Sequence, residues 1–224
     1  MKLLERELGI EVELKENVIS VIVLEDSTLR LSLIEELYQQ LVGKEGNWLL
    51  IENEKNYDLD KYVELIVEPF SLQLNNKKIK TKLYQDIKII ADDCFGLQGL
   101  ELHSHICNYL ENLLEKTLYP IKYEDEWNVL DLLKLYNVEI EESYDDVCEK
   151  LFDYVKLMNQ VCGIQIFITV NLKQYLTDNQ LLELYKLARY SKIQLVLIEF
   201  NMYNKKVEGE EIYILDNDAC IITY

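Results

Sequence analysis

Five lysines, Lys77, Lys78, Lys80, Lys82 and Lys88, crowd into residues 77–88 and are opposed only by Asp86. Wound as a helix, Lys77, Lys80 and Lys88 share one face, with Tyr84 among them. The opposite face carries the apolar stripe Ile79, Leu83, Ile87 and Ile90. A local excess of positive charge suits a polyanion. The plainer reading of a lysine run is a solvated helix face.

The second group is acidic. Residues 111–150 hold twelve acids against four bases, with Glu124, Asp125 and Glu126 adjacent and Asp131 one helical turn on. Hard divalent cations such as Ca²⁺ take carboxylate and carbonyl oxygens from loops of this kind. No D-x-D-x-D-G loop is present, so an EF-hand is excluded, and solvated charge is the competing reading. The two histidines, His103 and His105, sit two residues apart on a predicted helix, where they point in different directions and cannot share a metal. His103, beside the apolar stripe, reads as a packed residue. No nucleophile–base pattern and no G-x-S-x-G is legible, and the expectation is a protein without enzymatic activity. Asn171 and Glu199 close the two central strands, where α/β proteins keep functional groups.

These residues need elements to hold them. Ile164 to Val170 is apolar and β-branched, as in a strand buried on both faces. Thr177 with Gln180 is a capping box that starts a helix, with Leu181, Leu184, Tyr185 and Ala188 on one side. Ile193 to Glu199 is a second buried strand. Strand, helix, strand predicts a parallel βαβ unit.

Upstream, Leu8, Ile10, Val12 and Leu14 alternate with polar residues, and Val18 to Leu24 is continuously apolar; with Asn17 as a turn, this predicts a hairpin over 8–24. A helix follows from Glu25-Asp26-Ser27-Thr28 to Gly43. This strand–helix junction is where a nucleotide-binding protein places its phosphate loop. Here it has no glycine, no G-K-[ST] and two acids, so phosphate would be repelled. Trp48 to Glu52 predicts a strand, and Tyr62 to Val67 a strand or helical turn. Two amphipathic helices are expected between Asn75 and Leu118, broken at Gly96 and Gly99, as an inserted arm or leg whose apolar faces suit each other or a second subunit. Then come a short helix over 127–136, a short strand over 138–140 and a helix over 144–162. An edge hairpin of Ile212–Leu215 and Cys220–Thr223 closes the chain, turning at Asp216, Asn217 and Asp218. The predicted division is a head of residues 1–70 and 138–224 and a helical leg of 71–137.

The totals bound the rest. A chain of 224 residues with 49% hydrophobic content can bury a substantial core. Its formal charge of −18 opposes nucleic acid unless the few lysines converge. Cys94, Cys107, Cys148, Cys162 and Cys220 form no C-x-x-C pair and read as reduced core thiols. No apolar run reaches membrane-spanning length and no signal-like segment opens the chain, so a soluble cytoplasmic protein is expected, with no membrane partner.

Taken in order, V-I-S-V-I-V-L-E-D (18–26), E-D-E-W-N-V-L-D-L-L-K-L-Y-N-V-E-I-E (124–141), F-I-T-V-N-L-K-Q-Y-L-T (167–177), L-V-L-I-E-F (195–200) and Y-I-L-D-N-D (213–218) resemble the short form of the type II-A CRISPR adaptation protein. That family is the ring-forming, DNA-end-binding subunit of spacer acquisition. The resemblance implies an α/β fold: an ATPase-like head with a mixed or parallel sheet lacking a phosphate loop, plus an inserted helical leg. It implies a homotetrameric ring stabilised by Ca²⁺, threaded by double-stranded DNA and working beside the CRISPR integrase subunits and the RNA-guided nuclease. By the same resemblance, Glu124, Asp125 and Glu126 match the calcium loop, with Asp131 assisting, and Lys134 matches a lysine facing the channel. Lys77, Lys78, Lys80 and Lys82 are added as DNA contacts from charge patterning alone. Two other classes compete: a protein-interaction module on a degenerate nucleotide-binding fold, and a metal-dependent nuclease using the acidic cluster.

Overall fold

The computed structural model describes residues 1–202, 207–216 and 221–223. The strands are β1 (Lys2–Glu5), β2 (Ile10–Glu13), β3 (Ile19–Leu24), β4 (Trp48–Glu52), β5 (Lys55–Tyr57), β6 (Val63–Ile66), β7 (Ile166–Val170), β8 (Gln194–Glu199), β9 (Glu210–Leu215) and β10 (Ile221–Thr223). The helices are α1 (Ser27–Leu41), α2 (Leu59–Tyr62), α3 (Lys77–Leu114), α4 (Val129–Leu135), α5 (Val147–Cys162) and α6 (Asp178–Tyr190). The chain divides into two compact units, Met1–Gln73 with Ser143–Tyr224, and Leu74–Glu142.

The first unit is α/β. Its larger sheet has the order β10-β9-β3-β8-β7-β6, with β9, β3, β8, β7 and β6 parallel and β10 antiparallel at the edge. All six residues of β3 and all five of β7 are buried, as a strand covered on both faces requires. The expected β7–α6–β8 unit is present, with Ile166 opposite Gln194 and Val170 opposite Ile198. Its helix opens on the reciprocal Thr177–Gln180 capping box.

A second sheet, β2-β1-β4-β5, is wholly antiparallel. Here the expected hairpin over 8–24 is corrected. β2 pairs with β1, and β3 lies in the other sheet. The alternation of β2 fits a sheet with one open face, whereas the unbroken apolar run of β3 needs cover on both. Asn17 still turns the chain, at φ 65°. One core joins the sheets: Leu3, Val12, Trp48 and Leu50 pack with Ile22, Ile168 and Val196, and with Leu33 and Leu37 of α1. No helix of the described residues is long and apolar enough to cross a membrane.

The second unit is built on α3, a single helix of 38 residues, about 57 Å long. The two helices expected from the glycines are therefore one. A glycine inside a helix costs only about 1 kcal/mol relative to alanine, too little to end it. Gly99 has a further use, since a Cβ there would meet the Trp127 indole at 3.0 Å. Residues 138–140 form no strand. Their backbone is held by side chains instead: Asn75 exchanges two hydrogen bonds with Ile140 at 2.8 and 2.9 Å, and Tyr84 Oη donates to Val138 O at 2.9 Å.

β9 and β10 pair antiparallel as the closing hairpin predicts; Asn217 and Asp218 of its turn, and Cys220, lie outside the described residues. Of the other cysteines, all free, only Cys148 is buried and Cys94 is exposed, which corrects the reading of five core thiols.

Candidate functional site

The junction between β3 and α1 is where a phosphate cradle would lie. Asp26 caps α1, its Oδ1 accepting from the N–H groups of Thr28 and Leu29 at 2.8 Å each. These amides at a helix start are the ones a phosphate would use. A carboxylate of the chain itself already occupies them, so the junction offers no phosphate cradle.

The lysines of α3 divide by their position on the helix. Lys77, Lys78 and Lys82 are exposed, as is Lys88. Lys80 is half-buried, donating to Glu139 Oε1 at 2.8 Å and to Asn137 Oδ1 at 3.3 Å. Glu139 raises the Lys80 ammonium pKa, and Lys80 lowers that of the Glu139 carboxyl. Tyr84, expected among the lysines, is buried and also donates to Leu133 O. So Lys80 and Tyr84 grip the 133–140 segment, and the lysines exposed on α3 are Lys77, Lys78, Lys82 and Lys88. Lys134, on α4, pairs with Asp131 at 2.9 Å, one turn away on the same helix.

The four acids are placed separately. Asp131 accepts from Lys134 and from Asn128 Nδ2 at 3.0 Å, and the Lys134 hydrogen bond, with its charge, holds its carboxyl below the usual range. Asp125 turns towards α3. Its Oδ1 lies 2.9 Å from His103 Nε2 and accepts from Cys107 Sγ at 3.1 Å. Those hydrogen bonds, Cys107 first, lower the Asp125 pKa, and Asp125 in turn pushes the Cys107 thiol up. Glu124 and Glu126 have no hydrogen bond or ion pair among the described residues. With His103, Cys107, Leu110 and Trp127 they line a cavity of about 360 Å³. No three of the acids Glu124, Asp125, Glu126 and Asp131 come within ligating distance of one another among the described residues. One copy of the chain therefore does not preassemble an all-oxygen calcium cage from them.

What does assemble is His103, Cys107 and Asp125, whose donor atoms all lie within 4.8 Å of one another. His103 also packs beside Trp127, with ring centroids 5.7 Å apart, so the expected packing role of His103 is accompanied by a polar one. His105 is exposed and takes no part, as its angle on the helix requires. The sequence did carry a signal for the pair: H-x-x-x-C puts both side chains on one helix face. Asp125, eighteen residues beyond Cys107, gave none.

At the ends of β7 and β8, Asn171 and Glu199 serve the fold. Asn171 adopts φ 51° and its Oδ1 accepts from Phe200 N–H at 3.0 Å. Glu199 is fully buried, with Oε1 accepting from Lys173 N–H at 3.1 Å.

Residues 39–219 match the family described as CRISPR-associated protein (Cas_Csn2). A curated relative from Streptococcus agalactiae, "CRISPR-associated protein Csn2", is 23% identical over 212 residues, covering 91% of this chain and 90% of the relative. Among solved structures, an ATP-binding cassette of an ABC transporter in its ADP conformation superposes with a TM-score of 0.50 at 12% identity, over 96% of this chain and 82% of that one. That likeness is one of fold and agrees with the ATPase-like head. A cassette from Clostridium perfringens, part of the ABC transporter complex cbiONQ, gives 0.47 at 13% identity, over 92% and 76%.

Proposed function

The chain belongs to the Cas_Csn2 family of CRISPR-associated proteins, and from that premise we propose that it is a non-enzymatic protein of spacer acquisition that binds double-stranded DNA ends. The observation that carries the reading is the exposed basic face at the start of α3, formed by Lys77, Lys78 and Lys82 in a chain of net charge −18. Contacts from lysines to phosphates carry no base information, so binding is insensitive to sequence. Lys80 and Lys134, each paired to an acid, contribute to DNA only if those pairs open.

The working form is a homotetrameric ring in the cytoplasm, acting beside integrase subunits and an RNA-guided nuclease. Exposed apolar residues of α3, among them Phe95, Leu97, Leu100 and Tyr109, give copies of the chain something to bury against one another. Calcium would join acidic surfaces of neighbouring copies. Glu124 and Glu126 are exposed and, among the described residues, unpaired, with Asp125 and Asp131 beside them in sequence; a second copy would supply the oxygens that one chain leaves short.

A gel shift of blunt duplex DNA, with light scattering, in calcium and in chelator tests this. Four-subunit particles and retarded DNA in calcium are expected, and duplex incubated with Mg²⁺ or Mn²⁺ stays intact. A single subunit that leaves duplex unretarded at low salt would point to a protein-interaction module instead; cleaved duplex would point to a nuclease.

A further inference from the structure

The donor set on α3 is of a different chemical kind from a calcium site. His103 and Cys107 are one helical turn apart on the same face, and both are half-buried. Asp125 reaches them from the loop that follows α3. The distances are His103 Nε2 to Asp125 Oδ1 2.9 Å, Cys107 Sγ to Asp125 Oδ1 3.1 Å, and Cys107 Sγ to His103 Nε2 3.7 Å. Zinc bonds of about 2.0–2.3 Å at tetrahedral angles separate neighbouring donors by about 3.3–3.6 Å. Each observed distance is within roughly half an ångström of that range. Imidazole and thiolate are ligands for zinc and its transition-metal neighbours and poor ones for calcium, which prefers oxygen.

We propose that His103, Cys107 and Asp125 form a three-ligand zinc site whose fourth position faces the cavity lined by Glu124 and Glu126. The hydrogens that now join these groups mark where the ion goes. On binding, the Cys107 thiol proton leaves to solvent, and His103 coordinates through Nε2 with its remaining proton on Nδ1. Residues 119–128 have no helix or strand of their own, and the ion ties this segment to α3. The inference goes beyond the DNA-binding reading and needs neither DNA nor a ring.

The test is a cobalt titration of full-length protein first stripped with a chelator. One cobalt per chain is expected, with a thiolate-to-cobalt charge-transfer band and the intense visible bands of tetrahedral cobalt. Zinc should bleach both, and excess calcium should leave them in place. Cys107→Ser should abolish the charge-transfer band, and His103→Gln should weaken metal binding by at least the roughly 10–100-fold that loss of a ligand's supporting partner costs. Asp125→Asn, at an exposed loop position, should also weaken it, and keeps the experiment decisive if a helix substitution unfolds the chain. Absence of the band, its survival in Cys107→Ser, or displacement of cobalt by calcium overturns the site. None of these outcomes bears on duplex retardation, which is measured separately.

Discussion

At Glu199 a carboxyl group has been taken wholly out of water at the end of β8. One oxygen accepts from Lys173 N–H, and the other, Oε2, has no partner among the described residues. Burial pushes its pKa from 4.5 to about 7, against the opposing pull of that N–H and the Lys173 charge. Between those two values the folded chain keeps a proton that the unfolded chain has released. Stability therefore falls as pH rises through that window, by roughly 3 kcal/mol in all, and no penalty remains below it. Glu199→Gln should raise stability at pH 8 by on the order of 2–3 kcal/mol and much less at pH 5. Urea denaturation at both pH values measures this, and an equal gain at the two would show that the carboxylate charge is not the cause. The same contrast between type and environment governs the candidate site. The acids near residue 125 and the lysines near residue 80 were legible as charges. That Lys80 is spent on Glu139, and Asp125 on His103 and Cys107, was not, because an ion pair depends on which backbone comes alongside.

α3 poses its question at the level of the element. Its two glycines look alike in sequence, yet their surroundings differ. A Cβ at Gly96 meets nothing within 4 Å, while one at Gly99 strikes the Trp127 indole at 3.0–3.3 Å. Gly96→Ala should stabilise the protein by about 0.5–1 kcal/mol through reduced chain entropy. Gly99→Ala should lose that gain and more, since the indole has to move. Thermal unfolding of the pair checks the assignment; equal behaviour would mean that Trp127 does not pack on the helix there. Other element ends were readable because they depend on near neighbours in sequence, as at the Thr177–Gln180 capping box, Asp26 and Gly163, the last closing α5 at φ 73°.

For the whole molecule, the controlling quantity is a net charge of −18 facing a polyanion. Attraction has to come from a few lysines against a repulsive background, so duplex binding should weaken steeply with salt. Replacing Lys77, Lys78 and Lys82 together by Gln should flatten a plot of log affinity against log salt by about 0.9 for each phosphate no longer neutralised. Filter binding over a salt series gives the slope. A slope unchanged by the triple substitution would place the DNA on another surface.

Apolar runs determined the parallel β7–α6–β8 unit, the absence of glycine and of G-K-[ST] the missing phosphate loop, and motifs in order the family resemblance, because each is local or periodic and survives without knowledge of what packs where. Tertiary structure alone decided that β2 leaves β3 for another sheet, that α3 runs through both glycines, and that Asp125 meets a histidine and a thiol. Those outcomes turn on which residues far apart in sequence come together, where several partners are chemically acceptable and only packing selects among them.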